Sequence, residues 1–221
     1  TLQELKEYAV EVNQEYADKL GINPAAAITT VKPSGTVSQL VNTASGIHPR
    51  HSPYYIRSIR QDNKDPMTQF LKDQGVPNEP CVMKPDATTV FFFPMKSPEG
   101  ALCRNDITPR DHLNLWAVYN KHWAEHQVSV TVSVKEEEWV DTAAWVYDNF
   151  DELSGVSFLP MDGGTYKQAP YQDCTKEEYE ELLAEMPDKI RWEVLSDYEE
   201  EDTTTGSREL ACVGMSCEII Y

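Results

Sequence analysis

Val128-Ser-Val-Thr-Val-Ser-Val134 sets a valine at every second position with a small hydroxyl residue between each pair. That period of two is the signature of a β-strand, and β-branched residues suit a pleated surface. The stretches on either side carry a different period. Upstream, Thr108-Pro109-Arg-Asp111 is a helix start, with a hydroxyl cap and proline in the first turn. The helix is predicted to run to about His126, with Trp116, Tyr119 and Trp123 at helical spacing. Downstream, 136–150 reads as a helix with Trp139, Ala143 and Val146 on one face, and 155–159 as a buried strand.

The same alternation extends outward. Residues 2–20 place Leu2, Leu5, Ala9, Val12, Tyr16 and Leu20 on one helical face, and Gly21 stops the helix. Residues 26–32 read as a buried strand, Pro33-Ser34-Gly35 as a sharp turn and 36–42 as a short helix. A strand is predicted over 54–60, a helix from Asp65-Pro66 to Gly75 and a second apolar strand over 90–94. A capping box at Thr175–Glu178 opens an acidic helix, and 190–194 reads as a last short strand. Strands alternating with helices, and too apolar for a half-exposed sheet, imply an α/β fold with largely parallel strands. No domain break is visible before Glu199. The chain therefore divides into 1–198 and a polar, acidic tail, 199–221.

The formal net charge of −18 argues against a general nucleic-acid or anionic-membrane binder. An anionic ligand would need locally placed donors. No run of 18 apolar residues exists to span a membrane, and Thr-Leu-Gln-Glu-Leu-Lys-Glu is no signal peptide. Five cysteines, an odd number and mostly scattered, suggest a reducing cytoplasm over a secreted disulfide scaffold. The first residue is Thr, as expected of a fragment, a split-gene product or a processed product.

Three motifs bear on chemistry. Lys32-Pro-Ser-Gly-Thr-Val-Ser38 lies between a strand and a helix start. Free N–H groups at such a turn bind anions, and Gly35 lets a ligand approach the backbone or takes φ > 0. Ser34, Thr36 and Ser38 add hydroxyls. The pattern is not a Walker A loop, and an ordinary capped turn is the alternative. Next, His48, Arg50, His51, Tyr54, Tyr55, Arg57 and Arg60 can line an anion site or form a loop with packed tyrosines and solvated arginines. Third, His122-Trp-Ala-Glu125-His126 matches H-x-x-E-H of inverted zinc peptidases, a pattern of low specificity. Near the end, Cys212-Val-Gly-Met-Ser-Cys217 follows the polar linker. It suits thiol–disulfide exchange, or else two cysteines packed beside a terminal strand.

Taken together, five stretches resemble ribonucleotide reductases, most closely the C-terminal part of the adenosylcobalamin-dependent class, ribonucleoside-triphosphate type. They are AITTVKPSGTVSQL (27–40), SGIHPRHSPYYIRSIR (45–60), VSVTVSV (128–134), VSFLPMDGGTYKQAP (156–170) and ELACVGMSCEI (209–219). The resemblance implies that the chain supplies the closing part of a ten-stranded α/β barrel with a flexible C-terminal redox tail. It implies that Pro33, Ser34, Gly35, Thr36, Val37 and Ser38 receive the substrate phosphates. It further implies that Cys212 and Cys217 re-reduce an active-site disulfide and are themselves reduced by thioredoxin or a glutaredoxin-like protein. The 13 residues from Glu199 to Cys212 reach roughly 20 Å if they behave as a flexible coil.

The implied reaction converts ribonucleoside triphosphates to deoxyribonucleotides by thiyl-radical chemistry initiated by adenosylcobalamin. The implied partners are the ribonucleotide, the N-terminal part of the reductase and the protein reductant; no metal ligand is assigned. The family's radical-bearing cysteine, the Asn and Glu beside it and the allosteric specificity segments find no match here. Cys81, Cys103 and Cys174 match no family context, so the segment alone is expected to be inactive. The alternatives are a non-enzymatic thiol–disulfide carrier or binding module, and a zinc hydrolase built on His122, Glu125 and His126.

Overall fold

A computed structural model describes residues 1–161 and 167–199. Its elements, in order, are α1 (Leu2–Leu20), α2 (Val37–Leu40), β1 (Tyr54–Asp62), α3 (Pro66–Asp73), β2 (Asn78–Pro80), β3 (Thr88–Lys96), α4 (Pro109–His122), β4 (Thr131–Val134), α5 (Trp139–Asp148), β5 (Ser157–Pro160), β6 (Tyr171–Asp173) and α6 (Lys176–Glu185). The described residues form two compact units. The first comprises 1–55, 95–161 and 171–175, and the second 56–94, 167–170 and 176–199. The architecture is mixed α/β. The predicted tail lies, from residue 200 on, outside the described residues.

The valine alternation builds the core of the first unit. Val128, Val130, Val132 and Val134 are all buried, together with Ile47, Leu113, Trp116 and Trp145. The regular ladder is shorter than the alternation. β4 begins at Thr131 and runs parallel to β5, from Thr131 opposite Ser157 to Val134 opposite Pro160. Upstream of it the backbone serves other partners. The Ser129 N–H donates to Val31 O (3.0 Å), and the Trp116 indole donates to Val128 O (3.0 Å).

Thr108 caps α4 by accepting from the Asp111 N–H (3.1 Å), with Pro109 in the first turn. The helix stops at His122, short of the expected His126. The Glu125 N–H leaves the helical ladder for Thr29 O (2.8 Å). On α5 the buried positions are Thr142 and Trp145, and the Trp145 indole bonds Asn114 Oδ1 (2.9 Å). Trp139 and Val146 do pack on the core, but the face centred on Thr142 turns Ala143 outward.

Two buried strands read from the sequence are corrected. Segment 26–32 forms no regular strand and buries only Thr29. Its described backbone pairing is to residues 125–129, too little for a two-sided ladder. β5 exposes Ser157, Leu159 and Pro160 because, among the described residues, it pairs only with β4. The apolar stripe of α1 is largely uncovered, with Leu5, Tyr16 and Leu20 exposed and only Ala17 buried.

In the second unit, β2 and β3 are antiparallel, with Asn78 opposite Phe91 and Pro80 opposite Thr89. This departs from the expected parallel order. The connection 81–87 is too short for a parallel crossover, which needs a dozen residues or more. Asp65 caps α3 by accepting from the Met67 N–H (2.9 Å), and Gly75 closes it at φ 81°. Segment 190–194 is not a strand. A 3-10 helix over Trp192–Asp197 instead brings Trp192 and Tyr198 onto the buried Phe70, at 5.4 and 5.5 Å between ring centroids. No helix of the described residues is long and apolar enough to cross a membrane.

Candidate functional site

The turn at residues 33–38 is tied inward by its own hydroxyls. Ser34 O accepts from Ser38 Oγ (3.1 Å) and Ser45 Oγ (2.9 Å), and Ser34 Oγ accepts from the Ser38 N–H (3.2 Å). Ser38 is buried, and its hydroxyl proton is committed to Ser34 O. Lys32 reaches across to Ser129 Oγ (2.8 Å). These bonds leave a row of backbone donors. Among the described residues, the N–H groups of Gly35, Thr36 and Val37 have no hydrogen-bond partner, and all three residues are exposed. Three successive free donors beside an exposed threonine hydroxyl are what an oxyanion requires. α2 is a single turn, so its dipole adds little and the donors themselves carry the chemistry.

The glycine needing special backbone freedom is Gly46, with φ 59°. A Cβ there would sit 3.4 Å from Lys32 O and 3.4 Å from the Val31 side chain. Gly35 does not adopt positive φ, and a Cβ on it meets no atom within 4 Å. Its lack of a side chain matters for what approaches from outside.

The His/Arg/Tyr segment is mostly structural: Tyr55 is buried and Arg60 exposed, as the second sequence reading has it, but Arg50 departs from it. His48 Nε2 accepts from the Thr131 N–H (2.9 Å), while Nδ1 lies 2.9 Å from Ser45 O. These partners assign a neutral ring protonated at Nδ1. His112 Nε2 bonds Ile47 O (3.0 Å), so the two rings pin both sides of the 45–48 turn. Arg50 is buried rather than solvated, with Asn42, Thr43, Tyr55 and Ser97 as its partners. In the second unit, Arg57 and Arg60 donate to Pro170 O (3.0 Å) and Gln168 O (2.9 Å). His51 stacks on Tyr171 at 5.4 Å and lies 3.1 Å from Asp173, which also pairs with Arg104.

Burial, then the neighbouring His48, lowers the His112 pKa from 6.5 to about 4, against a raising bond to Ile47 O. Burial, then Arg104, takes His51 to about 4 despite Asp173. The unfolded chain therefore binds protons first as pH falls. Stability present above pH 6.5 is lost progressively down to about 4. For His112 the expected loss is about 2 kcal/mol between pH 7.5 and 5. Urea unfolding at those two pH values checks this, with His112→Gln flattening the dependence.

The glutamate of the H-x-x-E-H pattern serves the backbone. The Glu125 carboxylate accepts from the N–H groups of Ile28 (2.6 Å) and Thr29 (3.1 Å), which hold its pKa below the usual carboxylate value. Among the described residues, no group of three or more His, Cys, Asp or Glu is placed to hold a metal ion. Cys81 and Cys103 are buried and Cys174 is half-buried. Cys212 and Cys217 lie outside the described residues.

No family model matches the chain. Individual proteins do. The adenosylcobalamin-dependent ribonucleoside-triphosphate reductase of Euglena gracilis is 34% identical over 179 residues, which is 80% of this chain and 24% of that protein. A probable enzyme of the same name from Dictyostelium discoideum is 33% identical over 84% of the chain and 26% of its own length. The Lactobacillus acidophilus enzyme is 27% identical over 95% of the chain. A crystal structure of a B12-dependent (class II) ribonucleotide reductase superposes with a TM-score of 0.73 and 28% identity, covering 89% of this chain and 28% of that one. In sequence and in fold, then, the chain is similar to part of a ribonucleotide reductase. The similarity is to the adenosylcobalamin-dependent, ribonucleoside-triphosphate type. The chain spans about a quarter of the length of the curated relatives it matches.

Proposed function

We propose that this chain is a segment of an adenosylcobalamin-dependent ribonucleoside-triphosphate reductase and supplies its substrate phosphate loop and terminal thiol shuttle. The observation that carries the reading is the row of free, exposed N–H groups at Gly35, Thr36 and Val37. It falls in the stretch where the family resemblance expects the substrate phosphates. Gly35, Thr36 and Val37 give backbone donors to phosphate oxygens, and the Thr36 hydroxyl can add a fourth. Pro33, Ser34 and Ser38 shape the turn. The N–H groups of Gly35, Thr36 and Val37 are thereby fixed before the ligand arrives, so little ordering cost falls on binding.

In the complete enzyme the ribose 2′-hydroxyl leaves as water and is replaced by hydrogen. The two electrons come from a pair of thiols that closes to a disulfide. The Cys212/Cys217 dithiol then reduces that disulfide by exchange, and thioredoxin or a glutaredoxin-like protein reduces the pair in turn. Adenosylcobalamin supplies the radical chemistry. The apolar cavity beside Asn42, Ile47, Pro98, Leu102 and Tyr119 holds about 400 Å³, the size of a small ligand and not of a corrin. The reading assigns the cofactor to the complete enzyme, whose remainder would also complete the ten-stranded barrel around the exposed β5 and α1.

A mixing experiment tests this. The chain, the polypeptide carrying the radical cysteine, adenosylcobalamin, a dithiol and a ribonucleoside triphosphate are expected to yield deoxyribonucleotide together. Neither polypeptide should do so alone. No product from the full mixture contradicts the assignment.

A further inference from the structure

The geometry points to Arg50 as a positioning residue for the phosphate loop, acting through Tyr55 and Gln39 to hold α2 and so the N–H row at Gly35–Val37. This rests on the phosphate reading above and names a residue that fixes the site without touching the ligand. Arg50 is 4% exposed. Its Nη1 donates to Thr43 O (2.6 Å), its Nη2 to Asn42 Oδ1 (2.8 Å) and Tyr55 OH (2.8 Å), and its Nε to Ser97 Oγ (3.3 Å). The Tyr55 hydroxyl donates onward to Gln39 Oε1 (2.6 Å). Gln39 lies within α2, and Asn42 and Thr43 follow its C-cap, Val41.

A four-residue helix cannot hold itself. Fixing one turn costs more conformational freedom than its few hydrogen bonds return. The shape of α2 must therefore be imposed from outside. The Ser34–Ser38–Ser45 bonds hold its N-terminal side. On its C-terminal side the chain turns at Asn42, with φ 50°, and the Thr43 N–H bonds Ser38 O (2.8 Å). Arg50 grips both turn residues and, through Tyr55, the helix itself.

The setting is costly, which points to a purpose. Among the described residues, Arg50 has no carboxylate partner, so a desolvated charge is balanced only by neutral acceptors. A planar fork can serve all four acceptors, whereas a lysine ammonium is a single point on a flexible stem. Arg50→Lys keeps the charge and loses the grip. Tyr55→Phe keeps the buried ring and removes the hydroxyl through which Arg50 Nη2 is linked to Gln39.

The test measures the Kd of inorganic triphosphate for the 221-residue chain, well below each variant's own melting temperature. A role in stability alone leaves that Kd unchanged in the folded protein. Arg50→Lys and Tyr55→Phe are each expected to weaken binding about 5-fold or more. Tyr55→Phe combined with Gln39→Leu should be no worse than the more damaging single change, because both cut one link. Should Arg50→Lys prevent folding, Tyr55→Phe carries the test. Gly35→Val serves as reference. If it weakens binding while Arg50→Lys and Tyr55→Phe bind as the unaltered chain does, the positioning role is wrong and the phosphate loop stands. If the unaltered chain does not bind triphosphate, or Gly35→Val has no effect, the phosphate reading itself fails and this inference with it.

Discussion

With Cys212 replaced by serine, the completed enzyme is expected to lose turnover driven by thioredoxin or glutaredoxin by about 100-fold or more, and to keep turnover driven by a small dithiol. The argument is one of access and electron count. Under the proposed function each cycle leaves a disulfide in the active site, where a protein reductant would be too bulky to enter. A terminal pair five positions apart can leave that site and be reduced outside, but only if both sulfurs are present to form and break the disulfide. Serine at 212 removes one sulfur and stops the exchange. A small dithiol bypasses the pair. Steady-state rates with the two reductants, compared with those of the unaltered enzyme, check this. Equal loss with both would remove the shuttle role from Cys212.

Gly35→Val is expected to weaken ribonucleoside triphosphate binding about 10-fold or more, or about 1.4 kcal/mol, while leaving the melting temperature nearly unchanged. A Cβ at Gly35 meets no protein atom within 4 Å, and the residue is not at positive φ, so neither crowding nor backbone strain opposes the substitution. The branched side chain would instead stand in the open space before the N–H groups of Gly35, Thr36 and Val37. Calorimetric titration gives the affinity and thermal unfolding the stability. An affinity loss matched by a large fall in melting temperature would mean the substitution damages the fold and says nothing specific of phosphate.

The elements whose signals are local were legible in the sequence. α1, α3 and the start of α4 carry capping residues, first-turn prolines or a glycine stop, and the valine alternation marks the core. What misled was burial read from apolar content. Segment 26–32 and β5 are apolar enough for an interior, yet stay largely exposed among the described residues. Composition reports what a segment can bury, not what is present to cover it. The end of α4 was missed for a related reason. Glu125 is drawn off the helix by the backbone of Ile28 and Thr29, almost a hundred residues away, and no local window contains that competition. The antiparallel β2–β3 pair was recoverable from the shortness of its connection.

The candidate site was legible as a stretch but not as a set of roles. The turn at 33–38 was found from its strand–turn–helix setting. The sequence spreads its donors evenly over backbone and hydroxyls, whereas Ser38 donates its N–H and its hydroxyl to Ser34, whose carbonyl also accepts from Ser45. Arg50 gave no distinguishing signal among Arg57 and Arg60. Only the fold shows that it alone of the three grips the residues after α2.

The central claim is that the exposed N–H row receives a nucleotide's phosphates. Backbone amide NMR of the isotopically labelled chain, titrated with a ribonucleoside triphosphate, tests it most directly. The account predicts saturable shifts largest at Gly35, Thr36 and Val37, absent with the nucleoside and reversed by excess inorganic triphosphate. Saturable binding that leaves those three amides unmoved would contradict it.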